Sequence, residues 1–216
     1  MCALLLIFDW DGTLSDSTGL ITRAMQQSAE DLGWPIPEAA AVQNIIGLGL
    51  PEALHLLFPD QNDDGHGKLR DRYRANYLRA DQAQPSTLFP GVLETLTCLR
   101  DAGHQMAVAT GKSRVGLDRV LDTMGLQGFF HATRCADETA SKPHPLMLHQ
   151  LLEELGAEPS SAAMVGDTEY DMDMGRRAGM DRIAVSYGAH AIDRLHAYEP
   201  ALCLDQFDEL LRWNRL

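Results

Sequence analysis

The sequence predicts an α/β fold: a parallel sheet core with helices on both faces, carrying an all-helical insertion after its first strand. Three observations predict it. Short apolar runs alternate with segments of helical period. Glycines follow the helical segments, where a helix C-terminus takes a residue tolerant of positive φ. The single long gap in this rhythm holds helical patterns only.

The first strand is expected over 3–8 and ends at Asp9. This run is too short for a secretory signal and has no basic residue before it, so it reads as a buried strand. Helical segments follow over 18–32, 38–46, 52–58 and 68–80. Gly33-Trp34-Pro35, Gly47-Leu48-Gly49 and Phe58-Pro59 separate them, and Gln84-Pro85-Ser86 and Phe89-Pro90-Gly91 mark the exit. Residues 15–85 are therefore expected to form a helical cap domain, with 1–14 and 86–216 forming the sheet domain. In the second part, strands are expected over 105–109, 132–134, 162–165 and 182–186, and helices over 92–102, 114–124, 145–155 and 170–178. Gly103, Gly125, Gly156 and Gly179 each close one of these helices. Strand–helix–strand repeats of this length imply right-handed crossovers and a Rossmann-like core.

Composition narrows the function classes. The chain has 216 residues, of which 45% are hydrophobic and 23% charged, a balance that supports a buried core rather than disorder. With 18 basic and 31 acidic residues the formal charge is −13. A field of that sign repels nucleic-acid phosphates, and no apolar run approaches the ~18 residues of a membrane span. Neither nucleic acid nor membrane is an expected partner. Cys2, Cys98, Cys135 and Cys203 form no CxxC pair and read as free thiols of a cytoplasmic protein.

The chemistry is expected at strand ends. The first strand runs into Asp9-Trp10-Asp11-Gly12-Thr13, the second into Thr110-Gly111-Lys112, and the fourth into Gly166-Asp167-Thr168-Glu169-Tyr170-Asp171. In an open parallel sheet such ends meet in one crevice where the strand order reverses. A lone Asp after a strand reads as a helix cap or an Asx turn, but three polar clusters at three ends do not. Carboxylates gathered there repel one another and call for a cation. Hard oxygen donors without a Cys/His set suit Mg²⁺ better than zinc. Asp9 and Asp11 flank one residue on a tight turn that Gly12 permits, which aims one carboxylate at a metal and the other at a leaving group.

These motifs carry a resemblance. FDWDGTLSDS, Thr110 in ATGK, Lys142 in SKPHP and GDTEYDMDMG resemble, in order and spacing, the four motifs of the haloacid dehalogenase superfamily of hydrolases. The helical insertion is similar to the cap of its phosphoglycolate phosphatase-like subgroup. The resemblance implies a Mg²⁺-dependent phosphatase acting on a small phosphorylated metabolite through an aspartyl-phosphate. It implies Asp9 as nucleophile and Asp11 as general acid and base. Mg²⁺ would be held by Asp9, Asp167 and the main-chain carbonyl of Asp11. Thr110 and Gly111 would bind phosphoryl oxygens, Lys142 would offset charge, and Asp171 would orient Lys142 or a metal-bound water. Asp11 distinguishes the chain from the dehalogenase branch, which lacks that acid, and from the phosphonoacetaldehyde hydrolase branch, which has DWAGT. A β-phosphoglucomutase-type phosphotransferase shares all four motifs and is the alternative enzyme, and a phosphate-binding module without turnover is the alternative class. A monomer or weak homodimer is expected.

Other residues have plainer readings. Thr168 reads as a helix cap, Met172 and Met174 as packing, and His144 as loop or helix-start structure. Lys142 is expected just before a helix that Pro143 can open. Lys68, Arg70, Arg72, Arg74 and Arg79 make a basic cluster on the last cap helix, where Lys68, Arg72 and Arg79 share one face and Leu69, Tyr73 and Tyr77 share another. The cluster reads as a solvated face, with a substrate-facing cation from this helix, or Arg23, as the alternative. The loop containing Gly47 serves either as a close backbone approach to a ligand or as a plain turn.

Overall fold

The structure, a computed structural model, describes residues 3–216. Leu5–Phe8 forms β1, buried throughout, and Ser15–Asp16 forms the short β2. Four helices come next: α1 (Thr18–Asp31), α2 (Ala39–Gln43), α3 (Leu50–Leu57) and α4 (Asp63–Ala83). Thr87–Leu88, β3, pairs antiparallel with β2, so the strands leading into and out of the helices are tied to each other. Strands and helices then alternate through α5 (Val92–Asp101), β4 (Gln105–Thr110), α6 (Arg114–Thr123), β5 (Ala132–Cys135) and α7 (Leu146–Leu155). The chain ends with β6 (Ala162–Gly166), α8 (Glu169–Arg177), β7 (Asp181–Val185), α9 (Ile192–His196) and β8 (Leu202–Leu204).

Six of the strands form one parallel sheet in the order β5-β4-β1-β6-β7-β8. Successive side chains of a strand point to opposite faces, and both faces here are covered. Leu6 and Phe8 pack with Met106, Val108 and Phe207 on one side. Leu5 and Ile7 pack with Ala107, Met147 and Leu151 on the other. After β5 the chain crosses back to place β6 on the far side of β1. The strand order therefore reverses between β1 and β6, and the carboxyl ends of β1, β4 and β6 lie side by side. The four helices after β2 have an apolar cluster of their own, with Leu20, Met25, Leu54 and Leu69 at its centre.

The observed elements differ from the expected ones at a few boundaries. α4 starts at Asp63, five residues before the expected start, because Asn62 Oδ1 accepts from Gly65 N and caps a turn rich in polar residues and glycine. α2 ends at Gln43 and gives way to turns through Gly47, whose φ of +99° no helix holds. α7 begins at Leu146 behind Pro145, and Pro143 sits in the preceding turn and does not open the helix. The sequence reading contained neither the edge strand β8, nor α9, nor the β2–β3 pair, which are too short to show a period. Gly103, Gly125, Gly156 and Gly179 have positive φ, as their positions after helices require. Cys98, Cys135 and Cys203 are free, and Cys2 lies outside the described residues.

Candidate active site

Two strand ends deliver the carboxylates. Asp9 follows β1, Asp167 follows β6, and Asp171 stands in the first turn of α8. A carboxylate oxygen of each lies within 4.8 Å of the others, and all three residues are buried. Lys142, on the loop before α7, enters this group. Its Nζ is 2.7 Å from Asp9 Oδ1 and 2.7 Å from Asp171 Oδ1. Burial alone would lower the Lys142 pKa, but Asp171 and Asp9 outweigh it and hold the ammonium charged. Asp171 in turn is fixed by Thr168, whose Oγ1 donates to its Oδ2 at 2.6 Å, completing a capping box at the start of α8. The expected cap role of Thr168 and the orienting contact of Asp171 to Lys142 are thus part of one chain of hydrogen bonds.

Asp167 is held at both oxygens, with Thr13 Oγ1 donating to Oδ1 at 2.8 Å and Ala189 N to Oδ2 at 2.7 Å. Room for it comes from glycine. A Cβ on Gly12 would stand 2.2 Å from Asp167 Oδ2, and one on Gly188 would stand 2.1 Å from Asp167 Cβ. Burial, with repulsion from Asp171, raises Asp167 to about 7. Burial likewise raises Asp9, with Asp171 and Asp167 adding to it and Lys142 opposing it. Asp9 Oδ2 is buried with no hydrogen-bond partner among the described residues. Three buried carboxylates against one ammonium leave an excess of negative charge, and an unpartnered oxygen faces it. That is the electrostatic demand of a hard divalent cation.

Asp11 does not join this cluster. Its Oδ1 accepts from Ser17 Oγ at 2.5 Å and is 2.9 Å from Lys112 Nζ. Lys112 also donates to Tyr77 Oη at 3.2 Å and lies over the Tyr77 ring. Burial opposes the charge on Lys112, but Asp11 and the two tyrosines 77 and 73 overcome it and keep the ammonium protonated. Lys112 stands inside the ATGK motif, but no local pattern reports its role, because its partner Tyr77 lies 35 residues away on α4. Ser17 was equally missed, although its place inside the first motif was a usable signal.

Thr110 is fully buried at the end of β4, where its Oγ1 accepts from Lys112 N at 3.2 Å. Gly111 meets the loop after α2: a Cβ there would stand 2.5 Å from Leu48 O and 2.6 Å from Gly47 O. Gly47 itself packs against Thr168. The loop of Gly47 is thus a close backbone approach between the helices and the strand ends, and not merely a turn. His190 Nε2 donates to Asn44 O at 3.3 Å, and Tyr170 Oη donates to the same carbonyl at 2.7 Å, which adds to that contact.

Between the strand ends and the helices lies a cavity of about 580 Å³. Asp9, Asp11, Gly47, Gly111 and Lys112 form its floor, and its helical wall is largely aliphatic and aromatic. The basic residues of α4 divide between solvent and this cavity. Lys68 pairs with Asp64 at 2.7 Å and Arg72 approaches Asp31 at 3.8 Å, outside the cavity. Arg70 and Arg74 line it instead, because the helical period places them beside Tyr73 and Tyr77. Arg23 does not line it, and α1 contributes Ile21 and Met25.

Residues 6–185 match the sequence profile of the haloacid dehalogenase-like hydrolases. A curated relative, the protein named probable phosphatase IndB of Dickeya dadantii, is 37% identical over 211 residues, spanning 96% of this chain and 91% of its own. The phosphoglycolate phosphatase of Vibrio parahaemolyticus is 30% identical over 215 residues, covering 96% and 94% of the two chains. The crystal structure of a haloacid dehalogenase-like family hydrolase from Streptococcus pneumoniae superposes with a TM-score of 0.84 at 25% identity, over 98% of each chain.

Proposed function

We propose, from the premise that this chain belongs to the haloacid dehalogenase-like hydrolase family, that Asp9 and Asp11 split an organic phosphate monoester in two steps. The chain is a phosphoric monoester hydrolase, as its relatives are by name. The observation that carries the mechanism is Asp9: a buried carboxylate at a strand end with one oxygen on Lys142 and the other unpartnered.

The residues fit Mg²⁺. The Asp9 and Asp167 carboxylates and the main-chain carbonyl of Asp11 would hold it, against the excess negative charge described above. Its chemistry there is to neutralise the repulsion between a carboxylate and a phosphate dianion.

Asp9 Oδ2 attacks phosphorus, the bond to the leaving alkoxide breaks, and the phosphoryl group rests on Asp9. The carboxyl group of Asp11 gives its proton to the alkoxide, and its carboxylate then takes one from the water that cleaves the acyl phosphate. Its contacts to Ser17 Oγ and Lys112 Nζ suit the second half of this cycle, since both groups donate to a carboxylate. General acid–base help of this kind contributes ~10²–10⁴ in rate. Lys142 stays charged and opposes the negative charge building on Asp9 and the phosphoryl oxygens. Thr110 and the Gly111 amide border the phosphoryl position, a role of positioning on which phosphoryl transfer chiefly depends. Residues 15–85 act as the cap that excludes water from this floor.

Phosphoglycolate is the substrate to expect from the Vibrio relative's name. A wider cavity favours a second reading. About 580 Å³ falls within the ~300–1,000 Å³ of pockets that enclose drug-sized ligands, far more than a two-carbon acid fills. The aliphatic wall supports a leaving alcohol with an apolar, ring-sized body, and Arg70 and Arg74 at the mouth suit a further anionic group. The test is phosphate release from benzyl phosphate, phosphoglycolate and β-glucose 1-phosphate, with Mg²⁺ and with a chelator. Mg²⁺-dependent release with benzyl phosphate preferred supports both parts. Preference for phosphoglycolate overturns the wider substrate but keeps the phosphatase. Isomerisation of the sugar phosphate without phosphate release replaces hydrolysis by transfer to a sugar.

A further inference from the structure

At the junction of α3 and α4, three metal-ligating side chains that the reaction does not use come together. His55 stands near the end of α3. Asp63 and His66 lie one turn apart on the first turn of α4, and so share a face. One ligand atom of each lies within 4.8 Å of the other two. The two imidazole rings are 4.3 Å apart at their centroids and inclined by 59°, so they are not stacked face to face.

The hydrogen bonds decide which ring nitrogens are available. A carbonyl oxygen can only accept. His55 Nδ1, 2.7 Å from Pro51 O, must therefore carry the proton, and so must His66 Nε2, 2.9 Å from Phe58 O. In the neutral rings this leaves lone pairs on His55 Nε2 and His66 Nδ1. His66 is only 7% exposed, and its Nδ1 is buried with no partner. Asp63 forms no ion pair among the described residues, although the first turn of α4 also holds Asp64, which is paired with Lys68. The buried, unpartnered His66 Nδ1 thus sits in a group of two imidazoles and a carboxylate whose ligand atoms are close together, an arrangement that a bound cation would satisfy.

We infer that His55, His66 and Asp63 form a second metal site, one for a borderline divalent transition cation such as Zn²⁺, separate from the acidic centre. The donor set selects this class. Imidazole nitrogen suits Zn²⁺, Co²⁺ and Ni²⁺, whereas Mg²⁺ prefers all-oxygen shells. The backbone carbonyls of Pro51 and Phe58 play the part that such partners play behind metal-bound histidines, fixing the tautomer and the ring angle. The exposed side of Asp63 and His55 leaves room for water to complete the shell and for the ion to enter. A net charge of −13 favours cation approach. A bound ion would pin the end of α3 to the start of α4 across the Phe58–Pro59 turn. Leu50 and Ala53 of α3 line the substrate cavity, so the site braces that wall.

The test uses the full chain, stripped of metal and kept in saturating Mg²⁺ so that the acidic centre is filled. Zn²⁺ is titrated calorimetrically, and Co²⁺ serves as an absorbance probe of nitrogen ligation. The expected result is one equivalent of Zn²⁺ bound, with a higher melting temperature in its presence. His55→Gln should weaken this binding more than about tenfold, with unchanged circular dichroism and unchanged Mg²⁺-dependent phosphate release. His55 is exposed, so this variant folds even where His66→Gln does not. Zinc affinity unchanged in both His55→Gln and Asp63→Asn, or no saturable zinc binding by the wild type, overturns the site. The phosphatase reading stands or falls by phosphate release alone.

Discussion

At the ends of β1 and β6, three buried carboxylates share one ammonium. The helical wall across the cavity is mostly aliphatic and carries Arg70 and Arg74 at exposed positions. The floor concentrates charge where solvent cannot screen it, so each group there depends on its neighbours for its protonation and position. The wall holds few fixed polar contacts, among them the one that reaches the floor from Tyr77 through Lys112. Such a division lets a reaction stay constant while the shape of the accepted molecule varies, because chemistry and selection rest on different elements.

The sharpest way to break this contrast is Asp9→Asn. Turnover should fall by at least ~10³-fold, as for removal of a nucleophile. Melting temperature should hold or rise, because one of three repelling carboxylates is gone. Phosphate release and thermal unfolding together check this, and appreciable kcat in the folded variant would move the nucleophile elsewhere.

Lys142→Met probes the same floor from its positive side. Removing one partner from a buried ion network costs about 3–5 kcal/mol, since the carboxylates are left uncompensated. Turnover should drop by ~10²–10³-fold. Added Mg²⁺ should recover part of the lost stability but not the rate. Chemical denaturation with and without Mg²⁺ separates the two effects.

A change in the wall should act on selection alone. Leu78, 39% exposed at the cavity mouth, can be replaced without disturbing the core. Leu78→Asp should lower kcat/KM for benzyl phosphate by about fivefold or more, the order of ~1 kcal/mol of lost apolar contact, with phosphoglycolate nearly unaffected. Equal losses on both substrates would erase the division between floor and wall.

The smallest effect lies outside both regions. His104, buried before β4, accepts from Leu4 N at its Nδ1, and burial lowers its pKa from 6.5. A base with a depressed folded pKa binds fewer protons than in the unfolded chain. Its contribution is therefore present above pH 6.5 and is lost as pH falls below that value. His104→Asn should flatten the fall in melting temperature on acidification, while the pH profile of phosphate release stays the same.

Much of the floor was legible in the sequence because Asp9, Asp11, Thr110, Gly111 and Asp167 sit at or just beyond a strand end. Phe8-Asp9, Thr110-Gly111 and Gly166-Asp167 are local transitions from an apolar run to a polar turn, and a run of buried strand residues is hard to mistake. The capping residue Thr168 was readable for the same reason. Lys112 was not, because its importance comes from Tyr77, and no local pattern reports a partner on another helix. The carboxylate of Asp11 was expected to face a leaving group and not the metal, and it does stand apart from the acidic cluster, but its partners Ser17 and Lys112 follow from no local pattern. Within the basic cluster of α4 nothing separated Arg70 and Arg74 from Lys68, Arg72 and Arg79, since periodicity shows which residues share a face but not which face meets the cavity. β8 and α9 escaped because three to five residues hold too little pattern.

By itself, the sequence determined the alternation of strand and helix, the polar turns at three strand ends, and the charge excess that calls for a cation. These follow from nearest-neighbour chemistry along the chain. Only the tertiary structure decided which carboxylates converge, which lysine faces which acid, and that His55 and His66 come together beside Asp63. Those outcomes depend on the crossover that reverses the strand order and on how helices far apart in sequence pack, and distance along the chain carries no record of either.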